Sequence, residues 1–64
     1  MTFHFVATCT PTLDLDPAEF RDLTVPEIVI VIVDLLGQEY PDANPFHDDI
    51  VSAAHELHTA ATAG

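Results

Sequence analysis

TVPEIVIVIVDLLGQEY, residues 24–40, is the densest apolar run in the chain, and whether it forms a helix or a strand decides the fold. Six β-branched residues follow one another from Ile28 to Val33, with Leu35 and Leu36 just beyond. Such residues are stiff at χ1 and suit a pleated surface, which argues for a strand. Punctuation and period argue for a helix. Thr24 and Glu27 have the spacing of a capping box. Pro26 falls in the first turn, where its missing N–H is harmless. At about 100° per residue, Glu27, Asp34 and Gln38 share an arc of roughly 40°, whereas a strand would scatter them over both faces. Pro41 then stops the pattern, because the residue before proline avoids helical geometry. The spacing predicts a helix over 25–39. The alternative is a buried strand over 27–34 in a small mixed sheet.

Working outward, Asn44-Pro45 reads as the start of another helix over about 45–61, with Asp48 and Asp49 near its positive end. Phe46, Ile50, Ala53, Leu57 and Ala61 recur at helical spacing on its apolar face. The short connection YPDAN makes the two helices an antiparallel hairpin. Asp16-Pro17 starts a short helix over about 17–22, with Phe20 and Leu23 facing the core. Residues 2–9 alternate as a strand, placing Phe3, Phe5, Ala7 and Cys9 on one face. Such a strand needs a mate. Leu13 and Leu15 could return beside it, but pairing with the same strand of a second subunit is the preferred expectation. The class is therefore α+β, mostly helical, in one small domain spanning residues 1–64.

The segment TFHFVATCT followed by two helices resembles the ribbon-helix-helix DNA-binding proteins in architecture. Those proteins bind through a basic ribbon, and this one holds no Lys or Arg, so DNA binding is not implied.

Composition narrows the function. Eleven Asp and Glu face a single cation, Arg21, for a net charge of −10 in 64 residues. Binding to phosphates or to an anionic membrane needs cations that this chain lacks. No signal peptide is visible and the apolar run is too short to span a bilayer, so a cytoplasmic protein is expected. One cysteine, Cys9, allows no disulfide within the chain and suits a reducing compartment. A domain of this size hides only about 60% of its unfolded surface and commonly gains stability from a partner.

Chemistry-bearing patterns are sparse. Asp48 and Asp49 are adjacent and point about 100° apart on a helix, so they do not share a site. With Gly37 and Gly64 the only glycines, no phosphate-binding loop can be built. His55 and His58 sit one turn apart and are weak candidate metal ligands that lack an evident third partner. His47 is about 16 Å further along the axis. No catalytic residue and no cofactor is expected.

The reading is thus a small acidic, non-enzymatic protein-interaction module, expected to be a homodimer that binds a further protein, plausibly a basic one. The expected self-association residues are Ile28, Ile32, Leu35, Leu36, Phe3 and Phe5. The expected acidic face is Asp14, Asp16, Glu19, Asp22, Asp42, Asp48 and Asp49. Two alternatives are a DNA mimic, inhibitor-like or antitoxin-like, whose carboxylates occupy a nucleic-acid-binding protein, and metal-dependent assembly through His55 and His58.

Overall fold

The computed structural model describes residues 1–5 and 10–63. Elements follow in the order β1 (Thr2–His4), β2 (Thr12–Asp14), a 3-10 turn (Pro17–Phe20), α1 (Val25–Glu39) and α2 (His47–Thr62). The 24–40 run is a helix, not the alternative strand. Its β-branched residues disfavour a helix by at most ~0.7 kcal/mol apiece, whereas burying one Ile side chain returns about 1.5–3 kcal/mol. Ile28, Ile32 and Leu36, successive fourth residues, are buried along one stripe and outweigh that preference.

The start of α1 is fixed as its spacing implies. The Glu27 carboxylate accepts hydrogen bonds from both the backbone N–H and the hydroxyl of Thr24, each at 3.0 Å. Those bonds hold the Glu27 carboxyl below its ordinary pKa, the backbone bond contributing most. Pro26 occupies the first turn. At the far end the Tyr40 N–H closes on the Leu36 carbonyl at 2.8 Å.

Strand β1 finds its mate within the chain. It runs antiparallel to β2 with Thr2 opposite Asp14, Phe3 opposite Leu13 and His4 opposite Thr12. The ladder continues outward through Leu15 N–H to the Met1 carbonyl, and inward through Phe5 N–H to the Pro11 carbonyl. Pro11 needs to supply only an acceptor there, which proline can do. The preferred expectation, pairing with a second copy, is therefore corrected: the return strand through Leu13 takes that edge. Residues 6–9 of the expected strand, Cys9 among them, lie outside the described residues.

Two further boundaries move. The short helix is a single 3-10 turn ending at Phe20, capped by the Asp16 carboxylate accepting from Ala18 N–H at 3.1 Å. Helix α2 begins at His47, two residues after Pro45, and its N-cap is Phe46 rather than Asn44. The chain stays extended as far as Phe46, at φ −65° and ψ 141°. Phenylalanine offers no side-chain oxygen, so this helix end has no side-chain cap.

The core joins all five elements. Phe3, Phe5, Leu13 and Leu15 come from the hairpin, Phe20 from the 3-10 turn, and Ile28, Ile32 and Leu36 from α1. Helix α2 closes over them with Ile50, Ala53, Ala54 and Leu57. The two adjacent alanines let α2 approach closely where larger side chains would hold it off. Phe5, Ile28, Ile32 and Leu57 are the largest fully buried side chains.

Two outcomes are expected from these contacts. Ile32→Ala should lower unfolding free energy in denaturant titration by about 2–4 kcal/mol, as buried Ile truncations do, while Val33→Ala one residue away should change it by under ~1 kcal/mol. Equal losses would mean that α1 is rotated from the orientation described. Because the folded pKa of Glu27 is lowered, its contribution is present above the ordinary carboxylate range and lost as pH falls through the lowered value. The melting-temperature deficit of Glu27→Ala should accordingly be largest near neutral pH and vanish in acid.

Candidate interaction surfaces

Turning Ile28, Ile32 and Leu36 inward settles what α1 shows to the outside. Taking about 100° per residue, Val29, Val33, Pro26, Gly37 and Ile30 follow one another round the adjacent arc, before the polar arc of Asp34, Glu27 and Gln38. Ile30 is 68% exposed and Val33 49%, and Phe46, just before α2, is 66% exposed. Two hollows flank this arc. One, of about 390 Å³, is lined by Val25, Pro26, Val29, Ile30, His47 and Val51. The other, of about 260 Å³, includes Val33, Gly37, Tyr40 and Pro45. Phe46 lies in the chain between Pro45 of one hollow and His47 of the other. Although the chain carries eleven carboxylates, neither hollow is lined by one.

Two residues on this face break local rules without a return inside the chain. Phe46 occupies an N-cap, where Ser, Thr, Asp or Asn is more stable by about 0.5–2 kcal/mol. Gly37 sits inside α1, where glycine costs about 1 kcal/mol relative to alanine. A Cβ at Gly37 would meet nothing within 4 Å, so no close packing within the described chain calls for the glycine.

A second surface lies on the other side of α1. A groove of about 590 Å³ runs between α1 and the segment from β2 to the 3-10 turn. Its floor comprises the core residues Leu13, Leu15 and Phe20 and the half-buried Leu23, Val31 and Leu35. Asp14, Asp16, Glu19 and Glu39 also line it, all four exposed. The Met1 amino group lies 3.6 Å from Asp14, the one ion pair among the described residues. Arg21 therefore makes no ion pair there.

The residues expected to carry self-association are distributed differently from the expectation. Ile28, Ile32, Leu36, Phe3 and Phe5 are buried in the chain's own core, and Leu35 is half-buried at the groove. The large apolar side chains exposed among the described residues are instead Met1, Ile30, Val33, Tyr40 and Phe46. Of the expected acidic face, Asp14, Asp16 and Glu19 gather at the groove, joined by Glu39. Asp22, Asp42 and Asp48 are exposed and Asp49 is half-buried, and none of these lines it. Ile30 could have been found in the sequence from its position beside the polar arc, whereas Val33, about 100° from Asp34, is no nearer that arc than Ile28. Glu39 and its association with Asp14 depend on the tertiary fold.

The imidazoles of His55, exposed, and His58, half-buried, belong to one face of α2. No group of three or more His, Cys, Asp or Glu side chains suited to a metal ion forms among the described residues. No helix among them is long and apolar enough to cross a membrane. In comparisons with known proteins the chain matches no family, no curated protein and no solved structure.

Two imidazoles without a third ligand hold a divalent ion weakly. A chelator should leave the melting temperature unchanged. A fall on chelation that Zn²⁺ restores, and that His55→Ala abolishes, would instead identify a structural metal site.

Proposed function

We propose that this chain is a small acidic, non-enzymatic interaction module that works in the cytoplasm, self-associates through the Ile30–Val33–Phe46 face and acts by binding another protein. The observation that carries the reading is the exposed apolar face of α1, free of carboxylates along both of its hollows. Two copies of a chain with charge −10 repel, so a stable contact between them must exclude like charges. The two hollows meet that condition, and Asp34 and Glu27 begin only beyond Ile30. Gly37 lines one hollow and uncapped Phe46 stands in the chain between residues of the two hollows, and departures from local stability commonly mark functional surfaces. A flat arc around Gly37 also lets another backbone come near.

The alternative of a DNA-like acidic surface draws less support. Only Asp14, Asp16 and Glu19 of its seven expected carboxylates line a common groove.

Sedimentation velocity over a dilution series tests the self-association. The wild type should sediment as a dimer at high concentration and shift toward monomer on dilution. Ile30→Glu should be monomeric throughout with unchanged helical circular dichroism, because the residue occurs twice in a symmetric contact and its loss there should weaken the dimer by at least about a hundredfold. Phe46→Ser should raise the melting temperature of the monomer by supplying the missing cap while weakening association. A wild type that stays monomeric at every concentration would remove the self-association from this reading.

A further inference from the structure

The geometry points to the groove between α1 and the β2–3-10 segment as the docking site for a basic amphipathic peptide segment of another protein. This rests on the interaction-module reading above and names the chemistry of the partner. Two independent features meet in the groove. Its floor keeps apolar area in reserve, because Leu23, Val31 and Leu35 are only half-buried. Its edges carry Asp14, Asp16, Glu19 and Glu39, and no Lys, Arg or His lines it.

The floor selects apolar side chains and the edges select cations. Val31, Leu35 and Glu39 are successive fourth residues of α1, spanning about 12 Å of helix axis. A segment with two or three apolar side chains on one face and Arg or Lys beside them matches that layout, as amphipathic segments in grooves generally do. Arginine suits the rim best, since its guanidinium pairs with carboxylates in two parallel hydrogen bonds. The Met1 amino group beside Asp14 offsets only part of the rim charge. A second copy of this chain is a poor occupant, having one Arg and eleven carboxylates of its own. Self-association therefore belongs to the Ile30 face and peptide binding to the groove, on different sides of the same helix.

The test is fluorescence anisotropy with a labelled peptide of Leu and Arg, amphipathic as a helix, and a scrambled peptide of the same composition. The full chain should bind the amphipathic peptide at low salt and release it as salt rises. Glu19→Gln/Glu39→Gln should weaken binding about tenfold, the sum expected for two exposed charge contacts. Measured at about 0.15 M salt, where the Debye length is about 8 Å, Asp42→Asn/Asp48→Asn makes the same change in net charge at residues that line no part of the groove and should weaken binding less than about twofold. All four residues are exposed, so circular dichroism should be unchanged in both variants. Equal weakening by the two double variants, equal binding of the scrambled peptide, or no binding at all would overturn the assignment. Sedimentation of wild type and Ile30→Glu, run alongside, separates that failure from failure of the module reading: a chain that dimerises yet ignores the peptide loses the groove and keeps the Ile30 face.

Discussion

The structure depends on the contact of Ile28, Ile32 and Leu36 with α2, where Ala53 and Ala54 leave room for a close approach. Among the described residues only two helices, a short hairpin and one 3-10 turn are available, within 33 × 18 × 18 Å. A helix that is apolar nearly all round would ordinarily be enclosed on several sides. Here one side is covered completely, a second is covered partly at the groove, and a third is left open. The exposed surfaces follow from that geometry, because the hairpin and α2 lie on the same side of α1 as the buried stripe.

Charge divides the remaining surface. Most carboxylates occupy element ends and turns, where they cap the 3-10 turn at Asp16 and complement the positive end of α2 at Asp48 and Asp49, while Asp34 and Glu56 stand inside α1 and α2. The same residue types at Asp14, Asp16 and Glu19 border the groove. The hollows beside Ile30 have none. The apolar arc of α1 from Val29 to Ile30 carries none, and Asp34 and Glu27 begin immediately beyond it.

Much of the fold was legible because its signals are local. Thr24, Pro26, Glu27 and Pro41 set both ends of α1, and the hydrogen bonds between Thr24 and Glu27 realise the spacing. Asp16 caps the turn it was expected to cap. What failed was non-local. Whether β1 pairs with Leu13 or with another chain depends on the closing of a hairpin, which alternation in one strand does not encode. Asn44 has the right side chain for a cap, but the chain remains extended to Phe46 and the helix starts beyond it. The self-association residues were chosen for bulk and β-branching, yet Ile28, Ile32 and Leu36 lie far from the polar arc of Glu27, Asp34 and Gln38. The direction opposite that arc is the core of this chain; of the two apolar residues that border the arc, Ile30 is exposed and Val31 is half-buried at the groove.

The placement of the two surfaces on opposite sides of α1 has a consequence for valency. A pair of chains joined through Ile30 would bury neither groove and would present two of them facing outward. A partner with two basic segments, or one arrayed in many copies, would then engage both at once. The second contact becomes intramolecular, and its strength is set by the reach of the linker between segments as well as by either groove. Weak individual contacts of exposed charges would suffice for a tight complex, and a monomeric variant would lose that complex with both of its grooves intact.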